Sequence, residues 1–534
     1  MPLREKFNNY WRFIKNGRGT RITGILSFLG WSLVFGVIYA QSPLYSSNQN
    51  QYFLHGLARA GVGFLKNDWL ANTIDPLPLF SALVYITVRI FPKDGFYPAD
   101  TLFYFYYALL MGVYLAGMLS IMDTVFDLSQ IKIRKLSFIV LFLFAHSALL
   151  HFFLSRFSGT ETPFLIEGGV AAQRMLGQVF QPSTFGVFLV LSIALFLRDR
   201  LFLSLLALAV AVYFHPVYLL TAALLTLAYL WVIYRKEHNL KRCLLFGVGA
   251  ILLVSPALAY TMIVFWPTSG ALTQQINHML VHFRNPHHAI VSQWLDWTVL
   301  FQALIVLVGL FIVRKTRLFP ILAILTLGVL FLTSIQLLTG NDTLALLYPW
   351  RTSVLLVPVS TCILLAFINT KAMDFWKPGS DKLEKWFAYG SLVIISGLIT
   401  VGAIRFQIET ARQHTDEALP MMIYVAEHKT PDDVYLVPSK MENFRLVTGA
   451  PIYVDFKSVP YRDQDVQEWY RRVRWVDAFY RNTTNPCKIL RTAASSESIT
   501  HVVVEAESPV NTCTGVILNY QDDHFRIYSL NPIQ

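Results

Sequence analysis

The chain has 534 residues, 54% hydrophobic and only 14% charged, where soluble domains carry roughly 25% charge. With a mean hydropathy of +0.47, this composition excludes an ordinary soluble domain. The formal net charge of +11 does not imply a nucleic-acid partner, because Lys and Arg gather in short loops that alternate along the chain, as the positive-inside bias predicts.

The basic clusters are Arg4 to Arg21, Lys132/Arg134/Lys135, Arg198/Arg200, Arg235 to Arg242, Arg314/Lys315/Arg317 and Lys371 to Lys385. Apolar runs of membrane-spanning length lie between them. They predict about eleven transmembrane helices, near 22–40, 101–122, 136–154, 183–198, 201–214, 217–234, 243–265, 297–313, 318–337, 353–370 and 387–405. The first is read as a retained anchor, not a signal peptide, because Ile38 stands where cleavage needs a small residue. Residues 1–21 form a basic cytoplasmic N-terminus. The loops 41–100, 155–182, 266–296 and 338–352 then fall outside, together with everything after 405.

The first outer loop is too long for a connector, since helix–helix links run about 2–8 residues. It carries Asp68 and Asp75 between two amphipathic runs. A carboxylate on the outer face can act as a general base or hold a divalent cation, or it can cap a helix or start a turn. The second outer loop contributes Glu161, Glu167 and Arg174. Arg174 can grip a phosphate, pair with Glu167, or snorkel to headgroups. His215 sits in FHPVY between two apolar segments, where an ionisable group facing the interior suggests function.

Most concentrated is the run His278, His282, Arg284, His287 and His288. His278 and His282 share a helical face, yet no carboxylate or cysteine joins them locally, so a cationic phosphate pocket fits better than zinc. Arg284 and Arg351 are each the single cation of their outer loops. From about 406 to 534, helical and strand patterns alternate, which predicts a small extracytoplasmic α/β domain. Strands are expected at Pro431–Pro438, Pro451–Phe456, Thr500–Glu505 and Phe525–Leu530, with an Arg-rich helix over Asp463–Tyr480. Cys243 and Cys362 read as packing residues, whereas Cys487 and Cys513 could pair in an oxidising compartment. No glycine-rich phosphate loop is present.

This arrangement, with the segments FRNPHH, VFQPSTFG, FHPVY and YPWRTS, resembles the GT-C superfamily of integral-membrane glycosyltransferases, in a bacterial branch with a C-terminal soluble domain. The resemblance implies a GT-C-like transmembrane domain over 22–405 in the inner membrane. It implies transfer of a sugar from a polyprenyl-phosphate donor to a hydroxyl acceptor on the outer face. Asp68, or alternatively Asp75, would take the acceptor proton. Arg284, Arg351, Arg174, His287 and His288 would hold the departing phosphate, with Glu161, Glu167, His215 and His282 as further pocket residues. No nucleotide cofactor is expected, and a divalent cation is left open. The partners would be a lipid-linked donor, membrane lipids and proteins of envelope assembly. The chain departs from the pattern at Ser46–Gln51, SSNQNQ, where such enzymes carry an early acidic residue. That departure admits an alternative: a non-catalytic lipid or glycolipid transporter or binding protein. A scaffold recruiting partners through the Arg-rich 471–481 helix is a third reading.

Overall fold

The computed structural model describes residues 23–91, 99–157, 164–376, 381–481 and 486–530. Every one of the eleven apolar segments is helical. Among the described residues, six helices are long and apolar enough to cross a membrane: Ala99–Phe126, Pro216–Glu237, Leu240–Val264, Leu318–Thr339, Asp342–Trp376 and Glu384–His414. The pair Lys132–Ala145 and Ala148–Phe157, bent by 50°, could serve as a seventh. Thr23–Tyr39, Pro182–Leu197, Leu201–Phe214 and Trp297–Val313 are shorter apolar helices, so a count of eleven requires these four to cross as well.

Several of the predicted basic loops within the described residues are joined by ion pairs. Asp199 bonds both Lys236, at 3.3 Å, and Arg317, at 2.9 Å, joining three of them. Arg134, on the next cluster, pairs with Asp374.

Residues 164–181 run into the helices without regular structure. Backbone groups buried away from water must find partners, and helix side chains supply them. Gln302 donates to Leu165 O, Thr361 donates to Ile166 O, and Ser353 Oγ accepts from Val170 N. The first loop folds as Gln49–Tyr52, Leu54–Ala60, two 3₁₀ turns and the helix Pro78–Ile90. Phe53, Phe80, Phe103 and Phe180 pack it onto the bundle.

The C-terminal part contains a four-stranded sheet, β1 Tyr435–Leu436, β2 His501–Glu505, β3 Val516–Gln521 and β4 Phe525–Leu530, in the order β1-β2-β4-β3. β1 runs parallel to β2, and the other pairs are antiparallel. Two details differ from expectation. Pro451–Phe456 makes only the bridge Tyr435↔Ile452, because Asp455 O accepts from Trp469 Nε1 and the carboxylate of Asp455 bonds Arg445 and Ser458 N, pulling the chain out of the sheet. The boundary at 405/406 falls inside the helix Asp381–His414, whose amphipathic last turns carry the chain out of the bundle. Cys487 and Cys513 form a disulfide, closing a separation of 26 residues.

The sheet layer does not hang free. Its core includes Val466, Trp469 and Val473 on the helix Asp463–Arg481, and it also contains Ile276, with Phe283 and Trp69 packed alongside. The first loop, the 270–284 segment and the C-terminal layer thus share one hydrophobic core.

Candidate functional site

Arg284 ends a π-helical turn, Leu280–Arg284, that continues the helix Gly270–Met279. Arg351 sits in the 3₁₀ turn Pro349–Thr352, where Tyr348 adopts a positive φ and Trp350 is fully buried. Trp350 Nε1 donates to His288 O at 2.9 Å, which ties the two loops together. Folding therefore brings Arg284 and Arg351, from two separate loops, to one place.

Both guanidiniums act electrostatically on Tyr52, Tyr461 and Tyr348. Burial raises the Tyr52 phenol, and the nearby Arg351 and Arg284 pull it back. Arg284 Nη2 donates to Lys457 O at 2.6 Å, and its plane lies 5.1 Å from the Phe456 ring. Its Nε has no partner among the described residues, nor has the buried Nε of Arg351. Among those residues neither arginine has a carboxylate within ion-pair distance. Buried or half-buried guanidiniums without counter-ions are costly, so this pair is suited to an incoming anion.

His215 joins them from the break between Leu201–Phe214 and Pro216–Tyr218. Its ring faces Tyr52 and Tyr218, and both nitrogens are buried without a partner among the described residues. His288 Nδ1 donates to Ala171 O at 2.7 Å. Burial, with His287, Arg351 and Arg284 adding, lowers its pKa to about 3, so it is a neutral hydrogen-bonding group here. Burial, Arg284 and Lys457 lower His287 as well.

Two adjoining cavities open nearby, and of these groups His287 lines the larger one. One of 730 Å³ is lined by Arg174, His287, Arg405, His151 and Trp294. The other, of 520 Å³, is lined by Ser46, Ser47, Asn48, Asn50, Lys440 and Glu442. Arg174 and Gln178 line both. Arg174 does not pair with Glu167; it lies 4.0 Å over the Phe164 ring. Glu167 is instead held inside the bundle by His151 at 2.8 Å and His146 at 3.5 Å.

Of the carboxylates expected to serve as base, neither lines these two cavities, although Asp75 lines a separate small pocket with Tyr52 and Tyr461. Asp68 is fully buried, and Oδ2 accepts from Arg445 Nε at 2.8 Å and from Ile452 N at 3.0 Å. Its Oδ1 accepts from Leu70 N. With both oxygens engaged in the joint between the first loop and the C-terminal layer, Asp68 has no free lone pair aimed at the cavities. This corrects its assignment as base. Asp75 caps the helix Pro78–Ile90 through Leu77 N and Ser81, and it pairs with Arg59 at 3.1 Å. That, too, is a structural duty. Glu161 lies outside the described residues. His282 turns away from the arginines toward Asp342, 3.3 Å distant.

A carboxylate on which Arg284 and Lys457 do act is Glu442. It lines the smaller cavity beside the SSNQNQ segment. Burial raises its pKa, with Asp455 adding and Lys457 and Arg284 opposing. Sequence reasoning missed it because it lies in the C-terminal part, far from every motif. A lone Glu in KMENF carries no local signal.

The sequence profile of a domain of unknown function, DUF6798, matches residues 416–476, which include Glu442, Arg445 and Asp455. Among solved structures, ArnT from Cupriavidus metallidurans bound to undecaprenyl phosphate is similar over 95% of this chain and 98% of its own, with 13% identity and a TM-score of 0.48. Its apo state aligns over 96% and 99%, with 11% identity and a TM-score of 0.46. The archaeal oligosaccharyltransferase AglB from Archaeoglobus fulgidus, in complex with an inhibitory peptide and a dolichol-phosphate, covers 90% of this chain and 69% of its own, with 12% identity and a TM-score of 0.48. No curated protein matches the sequence.

Proposed function

We propose that this chain is a GT-C-like membrane glycosyltransferase that takes its sugar from a polyprenyl-phosphate donor on the outer face of a bacterial plasma membrane. The supporting observation is the convergence of Arg284 and Arg351 on Tyr52, Tyr348 and Tyr461, with neither guanidinium paired to a described carboxylate. Two guanidiniums acting on one group of tyrosines suit a phosphate, because charge-assisted hydrogen bonds are the strong ones. ArnT was solved with undecaprenyl phosphate bound and AglB with a dolichol-phosphate, the ligand class proposed here.

In this reading the Glu442 carboxylate removes the proton of an acceptor hydroxyl. The acceptor oxygen attacks the anomeric carbon, the bond from that carbon to the phosphate oxygen breaks, and the lipid phosphate departs onto Arg284 and Arg351. A carboxylate raised toward neutrality by burial is the better base, and guanidiniums placed where charge develops lower the barrier most. Tyr52 and His215 donate to or orient the phosphate, while His288, whose one N–H is engaged by Ala171 O, holds its loop in place.

The SSNQNQ segment favours a second reading, in which the protein binds a polyprenyl phosphate without transferring from it, since four of its side chains line the smaller cavity and none is acidic. Binding of a polyprenyl phosphate to the purified protein in nanodiscs, followed by turnover of a polyprenyl-phosphate sugar, separates the two. Arg284→Ala and Arg351→Ala should each weaken binding roughly tenfold or more, the worth of a hydrogen bond to a charged group. Unchanged affinity in both would remove the phosphate site. Binding without any turnover would leave the carrier reading.

A further inference from the structure

We propose that His278, His282 and Asp342 bind a divalent transition-metal ion of the Zn²⁺ class, outside the phosphate cleft. The three side chains can each offer one ligand atom, and those atoms lie within 4.8 Å of one another. His278 Nδ1 stands 3.2 Å from Asp342 Oδ2, and His282 Nε2 stands 3.3 Å from Oδ1. A tetrahedral ion with bonds near 2.05 Å separates its ligands by about 3.3 Å, so the set needs only small rotations to close on a metal. The two imidazole rings already lie 4.2 Å apart on adjacent turns. Sequence spacing alone lacked the third ligand; Asp342 comes from 64 residues away.

The chemistry selects the ion. Two imidazoles and one carboxylate suit Zn²⁺, Co²⁺ or Ni²⁺, whereas Mg²⁺ and Ca²⁺ require oxygen donors. His278 and Asp342 are 66% and 25% exposed, so water completes the coordination and the ion enters from solvent.

The placement gives the ion a consequence. His282 lies two residues before Arg284 on the same π-helical turn, and Asp342 opens the short helix Asp342–Leu346 that leads into the turn of Arg351. Asn277 Nδ2 donates to Thr343 Oγ1 at 2.9 Å beside them. A metal here staples the two loops that carry the cleft's arginines. This site stands whether or not the lipid-phosphate reading holds.

The test uses the full chain, free of any affinity tag, stripped with a chelator in detergent and titrated calorimetrically with Zn²⁺, with Mg²⁺ as control. One equivalent of Zn²⁺ should bind and Mg²⁺ should not. Loss of an outer-shell partner alone weakens a metal 10–100-fold, so His278→Ala or Asp342→Asn should cost at least roughly a hundredfold. Zn²⁺ should also raise the unfolding temperature of the wild type and leave both variants unmoved, while all three unfold alike in chelator. A wild type that takes up no Zn²⁺, or variants that bind it and are stabilised by it equally, would overturn the site.

Discussion

Asp68 and Arg445 lie 377 residues apart in sequence and 2.8 Å apart in space. Arg445 also donates to Asp455 at 2.6 Å, and all three side chains are at most 2% exposed. The two carboxylates hold the Arg445 pKa above its ordinary value against the cost of burial. Removing one partner from such a set leaves an uncompensated buried charge, at about 3–5 kcal/mol. Arg445→Met should therefore destabilise severely, with two carboxylates left unpaired. Asp68→Asn should act the same way to a lesser degree, because its amide still accepts at one oxygen. Thermal unfolding in detergent measures both. An Asp68→Asn protein of wild-type stability that loses only sugar transfer would restore Asp68 as the base.

Glu442→Gln keeps the shape of the side chain and removes its basicity. The expected outcome is a fall in kcat of roughly 10²–10⁴-fold, the range contributed by a general base, with polyprenyl-phosphate affinity unchanged or slightly tighter as a carboxylate near the anion is lost. Stability should change little, since Glu442 is only half-buried and makes no ion pair with a described residue. Turnover of a lipid-linked sugar beside a binding isotherm provides the measurement. Equal kcat in the variant would exclude Glu442 as base.

The contrast between these carboxylates shows what was legible beforehand. Apolar run length marked where the bundle is helical, because hydropathy is a local property, though not the 50° bend between Ala145 and Ala148. The loop arginines at 284 and 351 stood out for an equally local reason: each was alone among uncharged neighbours. Asp68 and Glu442 could not be sorted, because the roles depend on Arg445, Asp455 and Lys457, brought in by tertiary folding. The same holds for His278 and His282, whose carboxylate arrives from another loop. The strand at Val516–Gln521, with exposed Ile517 and Leu518, lacked the buried-strand pattern that marked its neighbours.

His288 should make stability depend on pH. Its folded pKa is about 3, below the ordinary value near 6.5, so between those values the unfolded chain binds a proton that the folded chain does not. Stability then rises with pH across that window and is lost as pH falls below about 6.5, with a slope approaching 1.4 kcal/mol per unit. His287 and His501 are lowered in the same direction. His288→Gln, whose amide can still donate to Ala171 O, should flatten the profile between pH 6.5 and 4. Denaturant midpoints measured across that range would show it, and parallel profiles for variant and wild type would count against the assignment.

The joint between the first loop and the C-terminal layer closes on backbone as well as charge. Phe64 N donates to Gly449 O at 2.8 Å, and Gly63 and Gly449 both have positive φ, at 52° and 66°. A Cβ on Gly63 would lie 2.4 Å from Gly449 O, a contact with backbone that no side-chain rotation relieves. Gly63→Ala therefore combines left-handed strain, of order 1–3 kcal/mol, with a forced separation of the two strands of chain. That displacement moves Asp68 relative to Arg445 and carries Glu442, seven residues before Gly449, away from the SSNQNQ segment. The expected phenotype couples lower stability to lost transfer, with faster proteolysis of the C-terminal layer from the rest. Gly61→Ala is the control: its φ is 81°, but nothing lies within 4 Å of the added carbon. It should pay the local strain and keep the joint closed.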